Sequence, residues 1–214
     1  MKKSIAWGTA ILLGAGVGLL AGAANPAKSR EPRFAQLTME QLDDRQCPLA
    51  EDIVRYSNLG GPYNLLLRSP GAAKPMLDLL DYLRHQSGLS NRLIEFTILV
   101  QARVWRSQNE WHGHSPAALK AGVPEKTIAE LKANRRPTQM SPEEAAVYDF
   151  CRELHEKHQT SDATYARLRQ YFDEQQTVDI TLLAGTYATV ASLMIMADTN
   201  VMGGDEPPFK PGDP

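Results

Sequence analysis

Two cysteines, Cys47 and Cys151, are all the thiol this 214-residue chain carries. Without a CxxC pair there is no dithiol exchange centre of the usual spacing and no cysteine-based zinc knuckle. No glycine-rich phosphate loop and no G-x-S-x-G turn occur, so neither a nucleotide cradle nor a nucleophile elbow is expected. Runs of like charge are absent as well. The formal charge is −2, and nothing here makes an electrostatic case for nucleic acid. Alternating apolar and polar runs, the mark of half-buried strands, are also missing. What remains is a recurrence of helical apolar stripes with caps between them, which implies an all-α fold.

The N-terminus reads as an address label. Lys2 and Lys3 precede an apolar run from Ile5 to Ala24, with Ala21-Gly22-Ala23 as an A-x-A site. Residues 1–24 thus have the anatomy of a signal peptide, which places the folded part in the periplasm or outside the cell. An uncleaved anchor is the competing reading, since the run approaches the ~20 residues that span a bilayer. Removing Lys2 and Lys3 from the 23 basic residues leaves 21 against 25 acidic ones, or −4. An oxidising compartment permits a Cys47–Cys151 bridge; two small buried hydrophobes are the other reading, and both remain open.

Residues 25–37 carry two prolines and little pattern, so a flexible arm is expected. A helical domain follows over 38–200, long enough to bury a core of its own. Its predicted helices start at Thr38-x-x-Gln41, Pro48, Ala72, Ser90 or Asn91, Asn109, Pro124, Ser141-Pro142, Ser161-Asp162 and about Val178. The tail, 201–214, is rich in proline and glycine and is expected on a surface or loose. The central and last helices are apolar over much of their circumference, which calls for cover on all sides and so for an oligomer.

Chemistry concentrates between Glu95 and His114. Glu95 sits in an apolar helix among Ile94, Phe96, Ile98 and Leu99. A carboxylate there is costly unless hydrogen-bonded or protonated, and burial moves its pKa toward neutrality. The bland account is a salt bridge to Arg92 or Arg103 on the same helix. Glu110 and His114 are four apart and share a face, with Ser107 joining them if the helical path holds. A carboxyl beside an imidazole is a common acid–base pair, although most such pairs are surface contacts. His112 points about 200° away from His114. Glu110 and His114 alone are too few for a metal centre, and no metal is expected. Trp105 and Trp111 bracket the cluster as pocket walls or, alternatively, as core.

These segments resemble the carboxymuconolactone decarboxylase family, which includes the alkylhydroperoxidase D-like proteins. The resemblance spans about Leu49 to Asn200. It is carried by Arg92-Leu-Ile-Glu-Phe-Thr-Ile-Leu99, by Asn109-Glu-Trp-His-Gly-His114-Ser-Pro-Ala-Ala-Leu-Lys-Ala-Gly122 and by Ser161-Asp-Ala-Thr-Tyr165. It implies a compact multi-helix bundle, assembly as trimers or hexamers, and a site near subunit contacts. In the peroxidase branch a glutamate, a CxxC pair and a histidine form a relay. Glu95 and His114 match the glutamate and the histidine, while Ser107 and Glu110 stand where the thiols would be. The thiol-free Glu-Trp-x-x-His pattern is similar to the decarboxylase side, which works without a cofactor.

The resemblance therefore implies a cofactor-independent, decarboxylase-like lyase acting on a small carboxylated or lactone-like molecule. Glu95, Glu110 and His114 would be catalytic, with Ser107, Trp105, Trp111 and His112 as binding residues. The alternatives are a peroxide-handling antioxidant protein that uses Cys47 and Cys151, and a non-catalytic oligomer that binds a small ligand. Partners are a small-molecule substrate and further copies of the chain, with no nucleic acid, and no membrane once the leader is removed.

Overall fold

The computed structural model describes residues 31–210 and 212–213. The leader, 1–24, and the first part of the arm, 25–30, lie outside them. Among the described residues the fold is all-helical: α1 (Cys47–Val54), α2 (Pro62–Leu66), α3 (Pro70–His85), α4 (Asn91–Val104), α5 (Gln108–Lys120), α6 (Glu125–Lys132), α7 (Pro142–Lys157), α8 (Asp162–Leu168) and α9 (Glu174–Met196). Short 3₁₀ turns lie at Met39–Gln41 and Met202–Gly204.

α4 is the axis of the molecule. Every residue from Leu93 to Arg103 is buried, because α5, α7 and α9 pack around it. Its start is set by Ser90, whose Oγ accepts the Leu93 N–H at 3.2 Å, a normal N-cap. Its end is a sharp corner. Arg106 adopts a left-handed φ of 51°, and the Ser107 N–H bonds back to the Ala102 carbonyl at 2.8 Å. That is a Schellman closure, here made without the usual glycine. The helical path therefore breaks between Arg106 and Ser107, and α5 leaves in a new direction.

α7, α8 and α9 also start at side-chain caps. Ser141 and Glu144 form the expected capping box, with Ser141 N–H to Glu144 Oε2 at 2.8 Å and Glu144 N–H to Ser141 Oγ at 3.1 Å. α9 begins at Glu174, ahead of the expected Val178, because Asp173 and Gln176 form a capping box of their own. α9 is long and apolar enough to cross a membrane, yet Ile180, Leu183, Ala184 and Ala191 are fully buried in the protein core. Val178, Leu182 and Ile195 remain exposed on its other side.

The arm, expected to be flexible, and the tail, expected on a surface or loose, are both pinned where they are described. In the arm, the Arg33 N–H bonds to the Ala197 carbonyl at 2.8 Å, and Leu37 exchanges two hydrogen bonds with the Asn64 side chain. In the tail, Phe209 is 2 % exposed and stacks edge-on against Trp111, with centroids 5.2 Å apart. The Gln108 amide clamps the Phe209 backbone from both sides, donating to its carbonyl and accepting its N–H at 2.8 Å each. One large aromatic, buried and backbone-paired, outweighs the disorder that the surrounding prolines and glycines favour.

Candidate active site

Glu95, on α4, is 1 % exposed, and both its oxygens are engaged. Oε2 faces His114 Nδ1 of α5 at 2.7 Å; Oε1 accepts from Arg84 Nη2 of α3 at 3.0 Å. Arg84 also donates from Nη1 to the Tyr187 hydroxyl of α9 at 2.9 Å, and the Tyr187 ring stands edge-on to the His114 ring at 5.2 Å. Four helices thus contribute one side chain each to a closed polar knot. Burial, first of all, pushes the Tyr187 phenol up, so it stays neutral and accepts the guanidinium. A carboxylate facing Nδ1 requires the proton to sit on that nitrogen, which leaves Nε2 as the nitrogen open to a ligand.

Neither of the expected intrahelical partners takes Glu95. Arg92 is spent on Glu144, with Nε to Oε1 at 2.7 Å. Arg103 stands over the Phe209 ring, 5.2 Å from its centroid.

Glu110 is the contrast. It lies in the first turn of α5, 4 % exposed, and neither carboxyl oxygen has a hydrogen-bond partner. Burial raises its pKa to about 8, with the nearby Ser107 hydroxyl acting in the opposite direction. Ser107-x-x-Glu110 has the spacing of a capping box. The box is not closed: Ser107 caps nothing through its side chain, and its Oγ is likewise unpartnered. The carboxyl that would have served the helix end is left for the interior.

Glu110, His114, Arg84 and Tyr187 line one cavity of about 170 Å³. Apolar side chains of Leu66, Leu77, Leu80, Val190, Met194 and Met202 supply much of the remaining wall. This is well below the ~300–1,000 Å³ of pockets for drug-sized ligands, so its occupant is small. Glu95 stands behind His114 and Arg84. A larger, more open cavity of about 650 Å³ adjoins on the α1–α3 side and shares Arg84, Tyr187 and Tyr63 with the inner one. Among the described residues no group of three or more His, Cys, Asp or Glu is placed to hold a metal.

Residues 70–153 match the model of the carboxymuconolactone decarboxylase family. Over that stretch the chain is similar to this family. The match covers Arg84, Glu95, Glu110 and His114 but ends before Tyr187 and Met202. Two solved structures share the fold. One is an alkylhydroperoxidase AhpD core from Ralstonia eutropha, described as an uncharacterized peroxidase-related protein. It is 14% identical with a TM-score of 0.68, over 86% of this chain and 100% of that one. The other is from Agrobacterium tumefaciens, a protein of unknown function assigned to antioxidant defence as AhpD. It is 21% identical with a TM-score of 0.59, over 66% of this chain and 98% of that one. No curated protein shows significant similarity.

The remaining candidates fall away from the cavity. Trp111 is 3 % exposed in the main core against Phe209, because the tail delivers a partner ring to it. Trp105 ends α4 facing solvent, 39 % exposed. His112 diverges from His114 as the helical geometry requires and faces Asp205 of the tail, Nε2 to Oδ2 at 3.4 Å. Ser107 is buried beside Glu110 but does not line the cavity. Cys47 and Cys151 are free thiols. Cys151 is fully buried in the core, which pushes its thiol up to about 12.

Arg84 and Tyr187 are the two site residues the sequence reading passed over. Arg84 had a faint signal, one turn after the half-buried Leu80. Tyr187 read as one more apolar position of α9.

Proposed function

We propose that the inner cavity is the active site of a cofactor-independent, decarboxylase-like lyase acting on a small carboxylated or lactone-like molecule. The observation that carries this reading is the unpartnered, buried Glu110 carboxyl facing the same space as a histidine oriented by a second carboxylate. With a pKa near 8, Glu110 holds its proton at neutral pH and can give it up. His114, fixed through Nδ1, offers Nε2 as acceptor or donor. Arg84 supplies a fixed positive charge at the wall, suited to an anionic substrate or enolate.

In a decarboxylation here, the carbon–carboxylate bond breaks and carbon dioxide leaves. The electron pair stays on the substrate as an enolate-type anion, and the Glu110 proton adds to that carbon. The apolar wall favours loss of the carboxylate charge. Glu110 then regains a proton from His114 or solvent.

The exposed apolar side of α9, with Val178, Leu182 and Ile195, supports self-association, and we propose a trimer or hexamer. Export by the leader is part of the same proposal.

A second reading is a peroxidase, supported by the way the two fold relatives are described. It requires chemistry other than a CxxC pair, because the two thiols here are free and Cys151 is sealed in the core. Screening the purified protein against lactone and aromatic-acid collections for carbon dioxide release, with hydroperoxide consumption measured in parallel, separates the two. Carbon dioxide release that disappears in His114→Ala supports the lyase. Hydroperoxide loss without carbon dioxide release replaces it.

A further inference from the structure

The inner cavity is closed partly by a residue from beyond the family-matched stretch. Met202, in the 3₁₀ turn after α9, lines the cavity with Glu110 and His114 and is itself 36 % exposed. It thus forms one partition of the chamber. We propose that the strap around Met202 is a size-selective wall of the chamber, so that Met202 limits how large a molecule fits beside Glu110 and His114.

Three independent features seat it there. First, its backbone is clamped by the residue next to the acid. Asn109 Oδ1 accepts the Met202 N–H at 2.8 Å, and Asn109 Nδ2 donates to Thr199 Oγ1 and the Asn200 carbonyl, both at 3.1 Å. Second, its side chain rests on bare backbone. A Cβ at Gly61, where φ is +57°, would stand 3.0 Å from the Met202 sulfur, and one at Gly113 would stand 4.0 Å from its methyl. Third, the strap is tethered at its far end by Phe209 and the Gln108 clamp. Between the two anchors, Gly203 and Gly204 both have positive φ, 81° and 77°, and no side chain within reach of an added Cβ fills that bend tightly. A flexible, unbranched thioether on a two-point strap is an adaptable partition, not a rigid one.

The test reads access and needs no substrate. A single thiol is placed in the chamber as Val190→Cys, in a Cys47→Ser background so that buried Cys151 is the other cysteine. Its modification rate is measured with methyl and benzyl methanethiosulfonate. With Met202 present, the benzyl reagent reacts much more slowly than the methyl one. Met202→Ala raises the benzyl rate about tenfold or more while the methyl rate changes about twofold, because only the larger probe depends on the partition. Met202→Leu, similar in bulk, restores the size ratio.

An unchanged size ratio in Met202→Ala overturns the proposal, as does equal acceleration of both reagents, which signals general loosening. If Val190→Cys does not fold by circular dichroism, Leu66→Cys reports on the same chamber. The functional meaning of the partition rests on the lyase reading, but the labelling does not, so either can fail with the other standing.

Discussion

Two buried carboxylates, contributed by consecutive helices, receive opposite treatment. Glu95 has both oxygens engaged, by Arg84 and by His114. Glu110 has neither engaged. A buried charge with full compensation is an architectural element, whereas a buried carboxyl with none is held protonated and available. The pair teaches that position in an apolar helix does not assign a role. The partners do: Glu95 holds the imidazole through Nδ1, and Glu110, left without a partner, is the proposed proton donor.

The comparison can be broken from its strongest side. His114→Ala removes the group that links both carboxylates to a ligand. Turnover is expected to fall by about 10²–10⁴ with helicity and assembly intact, measured by steady-state kinetics and circular dichroism. Unchanged turnover removes His114 from the chemistry.

Removing Glu95 acts on stability. Glu95→Ala strips Arg84 and His114 of their buried acceptor, and a loss of about 3–5 kcal/mol in denaturant unfolding is expected. A near-neutral result would mean that the knot is solvated in solution.

Glu110 gives the opposite sign. Its folded pKa of about 8 lies above its ordinary value of 4.5, so the unfolded chain releases this proton first as pH rises. Stability from this group is therefore intact below about pH 4.5, declines through the window up to about 8, and is flat above it. Glu110→Gln is expected to raise stability at pH 8 by roughly 1–4 kcal/mol and to change little at pH 4, while removing the pH dependence between. In the wild type, proton donation should fade above about pH 8; a pH–rate profile flat through that region would contradict the assignment.

The smallest effect belongs outside the cavity. Trp105→Ala is expected to change stability by less than about 0.5 kcal/mol and leave chamber binding unaltered. A large loss of activity there would show that the ligand reaches past the inner chamber.

Which of these relations could be read from residue order follows from their range. Caps at Ser90 and Ser141 depend on neighbours three residues away, and both form as the spacing implies. The face shared by Glu110 and His114 is of the same kind. Glu95 was read correctly as a carboxyl in apolar company, but its partners come from α3 and α5, while Arg92 and Arg103 on its own helix are used elsewhere. No periodicity encodes which of several arginines crosses between helices. Trp111 could not be placed for a related reason: its neighbour is Phe209, in a segment whose composition suggests no order. Asp173-x-x-Gln176 was legible and overlooked, which put the start of α9 too late.

The corner at Arg106 has a consequence for how this chain can change. His114 meets Glu95 only because the turn between α4 and α5 has one fixed length and one left-handed residue. Adding or deleting a single residue there would spin α5 by about 100° about its own axis, carrying Glu110 and His114 out of the chamber together. The spacing from Glu95 to His114 is a ruler, and its length is as much a part of the chemistry as the side chains at its ends.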